Sequence, residues 1–90
     1  MRVTIRDLEG IVGIINRETG NNEKPYSKDD NGIFKANIGN YHLDGAYGGY
    51  SLCQITTEGG GTRDIFRAGH MPKKELYGLM RAFLEGIERR

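Results

Sequence analysis

Residues 40–61 read NYHLDGAYGGYSLCQITTEGGG, from Asn40 to Gly61. With Gly39 they hold seven of the fourteen glycines and three of the five tyrosines, between two segments with ordinary helical periodicity. Side chains alternate along a strand, so Tyr41 to Asp44 puts Tyr41 and Leu43 on one face and His42 and Asp44 on the other. Tyr50 to Thr57 follows as a second strand, rich in hydroxyl-bearing and β-branched residues. One of its faces carries Tyr50, Leu52, Gln54 and Thr56; the other carries Ser51, Cys53, Ile55 and Thr57. Neither face is cleanly polar, which predicts a sheet covered on both sides, by helices on one and by another subunit on the other.

Upstream, Ile33 to Ile38 alternates well enough for a short strand with Phe34, Ala36 and Ile38 on one side, and Gly39 and Asn40 read as a turn or bulge. The run NNEKPYSKDDNG, Asn21 to Gly32, is polar, contains Pro25 and ends in turn formers, so it reads as a surface loop. Downstream, Gly59, Gly60 and Gly61 turn the chain into a further extended piece, Thr62 to Arg67, with Ile65 and Phe66 pointing opposite ways.

The flanks are helical. Thr4 and Asp7 have the spacing of a capping pair, and Ile5, Leu8, Ile11, Val12 and Ile15 form one stripe, with Arg6, Glu9, Asn16 and Arg17 opposite. Gly20 ends this helix as a left-handed cap, and Gly10 and Gly13 lie on its polar side. Pro72 suits the first position of a second helix, whose apolar stripe is Leu76, Leu79, Met80, Phe83, Leu84 and Ile87. Helix, three or four short strands, helix, with no crossover between parallel strands, predicts a single α+β domain over residues 1–90 with an antiparallel sheet.

Composition narrows the function classes. The chain has 90 residues, a hydrophobic fraction of 37% and 13 basic against 12 acidic side chains mixed along its length. That describes a folding domain with a small core, to which oligomerisation would add burial. A net charge of +1 argues against duplex DNA, whose non-specific binding needs clustered Lys and Arg. Cys53 is the single cysteine, which excludes an internal disulfide and a cysteine-pair zinc site and fits a reducing compartment. No apolar run approaches a membrane span and the N-terminus lacks an apolar signal region, so a cytoplasmic location is expected.

Two features point to a ligand. The segments DGAYGGY and EGGGTR, with Gly48, Gly49, Gly60 and Gly61, place backbone amides where no side chain blocks an approaching phosphate or carboxylate. They match neither a Walker loop nor a dinucleotide fingerprint, and tight hairpin turns or bulges would use the same glycines. The start of the second helix gathers His70, Lys73 and Lys74 at the positive end of a helix dipole, and Arg63 and Arg67, sharing a face of the preceding strand, could reach it. Tyr41, Tyr47 and Tyr50 offer rings for stacking on a base or for cross-strand aromatic pairs. A thiol and base set from Cys53, His42, His70 and Asp44 has no local support, and no metal or cofactor is expected.

The segments NIGNYHLDGAYGGYSL, EGGGTR and GHMPKKELYGLMRAFLEGIE, spanning Asn37 to Glu88, resemble a group of small accessory proteins encoded by tailed bacteriophages. The resemblance implies a phage origin and action in the cytoplasm of an infected bacterium. Such proteins act by binding: they occupy a host protein, cover nucleic acid, or sequester a nucleotide signal used in defence. No catalytic residues carry over. The expectation is therefore a non-enzymatic, homo-oligomeric binder of a small phosphorylated or nucleotide-like ligand, with phosphate on Arg63, Arg67, His70, Lys73 and Lys74 and a base on Tyr47 or Tyr50. The alternatives are a protein-binding module that inhibits a host enzyme through the glycine and tyrosine surface, and a single-stranded nucleic-acid binder, which the near-neutral charge disfavours.

Overall fold

A reciprocal capping box opens the first element. The Thr4 hydroxyl accepts from the Asp7 amide at 3.2 Å, and the Asp7 carboxylate accepts from the Thr4 amide at 2.9 Å, satisfying two donors that a helix start leaves over. In the structure, a computed structural model that describes residues 2–89, this helix, α1, spans Ile5–Glu18. Gly20, with φ 74°, turns the chain away after it. Leu8, Ile11, Val12 and Ile15 of the expected stripe are buried, whereas Ile5 at its outer end is 40% exposed.

Asn16, expected on the solvent side, is 1% exposed. Its carboxamide faces the sheet, where Nδ2 donates to the Tyr41 carbonyl at 2.9 Å and Oδ1 accepts the Tyr41 N–H at 2.8 Å. Periodicity assigns a polar residue to water; here a pair of main-chain groups takes the place of water.

Among the described residues, five strands form two antiparallel sheets. β1 (Tyr26–Lys28) pairs with β2 (Phe34–Ala36), and β3 (Tyr41–Ala46), β4 (Gly49–Ile55) and β5 (Thr62–Asp64) make a sheet in that order. β1 lies inside the stretch expected to be all loop. It is a strand because the Asp29 carboxylate accepts from the amides of Asn31 and Ile33 at 2.9 and 3.0 Å, folding a tight turn that returns β2 onto it. Pro25 stands just before the strand, where its missing N–H costs no ladder bond. The strand expected over residues 33–38 shrinks to β2, because Asn37 turns aside and donates from its side chain to the Lys24 carbonyl and the Ser27 hydroxyl.

The Ile55 amide donates to the Asn40 carbonyl at 2.9 Å, and the register runs from there to Ala46 opposite Gly49. Antiparallel pairs alternate, so His42, Asp44 and Ala46 turn their main-chain groups towards β4, and Tyr41, Leu43 and Gly45 turn theirs outward. Asn16 meets the first of these outward residues.

α2 (Lys73–Glu88) starts one residue after the expected first position, with Pro72 as its cap residue and no side-chain cap. Leu76, Met80 and Leu84 are buried, and Leu79 is 40% exposed. α1 packs on β3 and α2 on β4, and the two helices pack on each other. The core between the helices and one sheet face is built from Leu8, Ile11, Ile15, Tyr41, Leu52, Leu76 and Met80.

The opposite face was expected to need a second subunit. Its central residues Ser51, Cys53 and Ile55 are 3%, 7% and 1% exposed within the single chain, so no bare apolar sheet face calls for one. Four exposed apolar side chains, Tyr26, Ile33, Phe34 and Ile38, gather around the β1–β2 hairpin instead.

Replacing Asn16 by Ala removes both bonds and leaves a buried N–H and C=O at Tyr41. Urea denaturation should show a loss of about 3 kcal/mol, as for two orphaned main-chain groups. A loss below about 1 kcal/mol would mean that water takes the place of the amide there.

Candidate functional site

The residues expected to bind a ligand fall into three places. The hairpin tip is the first. Tyr47 and Gly48 are the two residues between Ala46 and Gly49, with φ 54° and 75°, the positive pair that a two-residue hairpin turn requires. Gly48 takes this conformation without cost, whereas Tyr47 is an unusual occupant of it. Tyr47 is fully exposed (100%), its ring edge-on to His70 with centroids 6.1 Å apart. His70 in turn donates from Nε2 to Asp44 Oδ2 at 2.7 Å, so its imidazole is tied to β3 and does not face outward with Lys73 and Lys74.

Tyr50 exchanges both main-chain bonds with Met71, each at 2.9 Å. Gly49 lies against this crossing, where a Cβ would stand 3.0 Å from the Met71 backbone, so a larger residue would push the strand away. The tip thus touches the chain that enters α2. Lys73 and Lys74 are exposed on the first turn of that helix.

The EGGGTR turn is the second place. The Gly60 amide donates to the Thr57 carbonyl at 3.1 Å and the Gly61 amide to the Thr57 hydroxyl at 2.8 Å. These amides, expected to meet an anion, are engaged in holding the turn.

Arg63 and Arg67 form the third. β5 carries Arg63 but ends at Asp64, so Arg67 is not on a strand as expected. Continued in register, β5 would bring Arg67 opposite Tyr50, yet Met71 stands there and residues 66–70 bulge out of the sheet. The Asp64 carboxylate holds the bulge by accepting from the amides of Phe66, Arg67 and Gly69 at 3.1, 3.2 and 2.9 Å. Arg67, with φ 54°, is turned back by this bulge to the side of Arg63.

Both arginines line a cleft of about 580 Å³ between β5 and α2, walled by Tyr41, Ile65, Phe83 and Ile87. Phe83 packs edge-on against Tyr41 at 5.8 Å and against Phe66 at 5.9 Å. Arg63 is oriented from below: Gln54 donates to the Gly39 carbonyl at 3.2 Å and its oxygen accepts from Arg63 Nε and Nη2 at 3.2 and 2.8 Å. Arg67 forms no ion pair among the described residues. Asp64 also borders the cleft, with its charge shared among three amides. Cations, hydrogen-bond donors and rings in a space of this size suit a small anionic molecule with a flat group. Tyr41 is one of the three tyrosines that the sequence offers for stacking, whereas Phe83, on the apolar stripe of α2, reads there as a core position.

His42 stands opposite Cys53, and Asp44 opposite Ser51, so these four side chains share the sheet face away from the helices. Burial lowers the His42 pKa from its ordinary 6.5 against the pull of Asp44. Burial also pushes the Cys53 thiol above its ordinary 9.0, opposed by the Ser51 hydroxyl and reinforced by Asp44 and Asp64. Thiol and imidazole are both held neutral, the reverse of an activated thiolate and its imidazolium. Among the described residues no cluster of three or more His, Cys, Asp or Glu could hold a metal ion, and no helix is long and apolar enough to cross a membrane.

The chain matches no protein-family model, no curated protein and no solved structure.

Two measurements check these environments. Between the lowered His42 value and 6.5 the unfolded chain binds more protons than the folded one, so stability contributed by neutral His42 is complete above pH 6.5 and falls as pH drops through that window. An NMR titration should place the His42 midpoint below 6.5; a midpoint at or above it contradicts the buried environment. Iodoacetamide near neutral pH should modify Cys53 at least about 100-fold more slowly in the folded protein than in urea, as for a protonated, covered thiol. Equal rates would mean an open, reactive cysteine.

Proposed function

We propose that the protein is a non-enzymatic binding module that captures a small phosphorylated, nucleotide-like ligand in the cleft between β5 and α2. In a phage-infected bacterium, such sequestration withdraws a signal used in host defence. One observation carries the reading: Arg63 and Arg67 reach the same cleft as the rings of Tyr41 and Phe83. Guanidinium groups bind phosphate through paired N–H donors and keep their charge at every physiological pH. Arg63 is already oriented by Gln54, which reduces the side-chain entropy lost on binding. The flat part of the ligand lies against Tyr41 and Phe83, a role first expected of Tyr47 or Tyr50, and Lys73 and Lys74 do not line this cleft.

Calorimetric titration with cyclic dinucleotides and ADP-ribose derivatives tests the reading. Arg63→Ala and Arg67→Ala should each weaken binding by about ten- to a hundredfold, as expected for a lost charged hydrogen bond. Lys73→Ala and Lys74→Ala should change it by less than about twofold, as for solvated charges. Absence of heat with every ligand ends this reading, and weakening by the lysine variants alone moves the anion to the start of α2.

A further inference from the structure

Beside α1, the outer edge of β3 is left open over Leu43 to Gly45. The alternation that turns Tyr41, Leu43 and Gly45 outward leaves three N–H and three C=O groups on this edge. Asn16 takes both groups of Tyr41. Those of Leu43 and Gly45 have no partner among the described residues. Two donors and two acceptors at strand spacing are complementary to one thing, an extended polypeptide backbone.

The space beside them is shaped for one. A groove of about 440 Å³ runs between α1 and β3, with Ile5, Val12, Leu43 and Tyr50 as apolar walls and Glu9 on its rim. Gly13 lines the α1 side, where only the ends of Arg17 and Glu23 come within 4 Å of the place a Cβ would take, at 3.8 Å. Those two side chains pair at 2.8 Å, and Glu23 lines the groove with Asn16. Tyr50 fills the place of the missing Gly45 side chain, its ring 3.2 Å from where a Cβ would be.

Charge decides the occupant. A second copy pairing edge to edge about a two-fold axis must run antiparallel. With Tyr41 covered by Asn16 and Tyr47 in the turn, the one register that uses Leu43 and Gly45 from both copies sets Asp44 directly against its own copy. Two carboxylates opposite each other on one face are repulsive. Asp44, which shares one oxygen with His70 and stands on the sheet face away from α1, and Glu9, which lines the groove, favour a basic partner.

We infer that the β3 edge docks an extended, lysine- or arginine-bearing segment of another polypeptide, which adds as a further strand through the main-chain groups of Leu43 and Gly45. This surface is separate from the Arg63–Arg67 cleft and does not depend on the ligand reading.

The test is NMR titration of the whole labelled protein with a panel of end-capped peptides of about eight residues, a length within the ordinary range for strands. The panel alternates β-branched residues with lysine, and varies the residue over Leu43 and the one beside Glu9. The Leu43 and Gly45 amides should exchange at least about ten-fold more slowly when bound, as for amides gaining a ladder bond. Methylating the peptide nitrogens one at a time should weaken binding by about ten-fold at alternate positions only, which changes no residue of the protein. Glu9→Lys should weaken lysine-bearing peptides by about threefold, as for a rim charge pair. The inference is overturned if no peptide of the panel protects both amides, or if the methylation scan is flat. It is equally overturned if the protein alone protects both amides in a concentration-dependent way, which would make a second copy the occupant.

Discussion

The carboxamide of Asn16 against the main chain of Tyr41 is the constraint on which the rest of the molecule depends. A primary amide offers a donor and an acceptor side by side, as a peptide unit does, and here it is bound as though it were one residue of a neighbouring strand. Asparagine is a poor helix former, and at this position α1 forgoes a few tenths of a kcal/mol of propensity. In return the helix is fixed to the sheet at one depth and one rotation. That rotation delivers Leu8, Ile11 and Ile15 to the core with Leu52, Leu76 and Met80.

Asparagine side chains continue this stitching where the small core cannot reach. Asn40 donates to the Asn22 carbonyl at 2.7 Å, Asn37 ties the two ends of the β1–β2 hairpin, and Asn21 donates to the Thr19 hydroxyl at 2.8 Å. A chain with a hydrophobic fraction of 37% holds its polar hairpin through side-chain amides more than through apolar contact. The molecule extends over 46 × 34 × 22 Å because this hairpin forms its own two-stranded sheet beside the three-stranded one.

The glycine-rich centre is architecture before it is chemistry. Its turns engage their own amides, and its tip is fastened to the start of α2 through Met71 and His70. The surfaces with the means to recognise something lie at its borders. One is the cleft where the bulge after β5 folds Arg67 back towards Arg63; the other is the strip of β3 that Asn16 leaves uncovered. Both exist because an element stops short: β5 after Asp64, and the covering of the β3 edge after Tyr41.

What was readable in advance depended on neighbours a few residues apart. The Thr4–Asp7 box, the apolar stripes of both helices and the α+β order follow from neighbours close in the chain, which spacing reports directly. Asn16 and Tyr41, 25 residues apart, and Asp44 and His70, 26 apart, find each other only when the layers close. The same holds for Arg67, whose place beside Arg63 comes from Asp64 folding the bulge and not from strand alternation. Residue periodicity says which side of an element is apolar. Which polar groups are then sealed from water, and so must find one another, is settled by packing between elements distant in the chain.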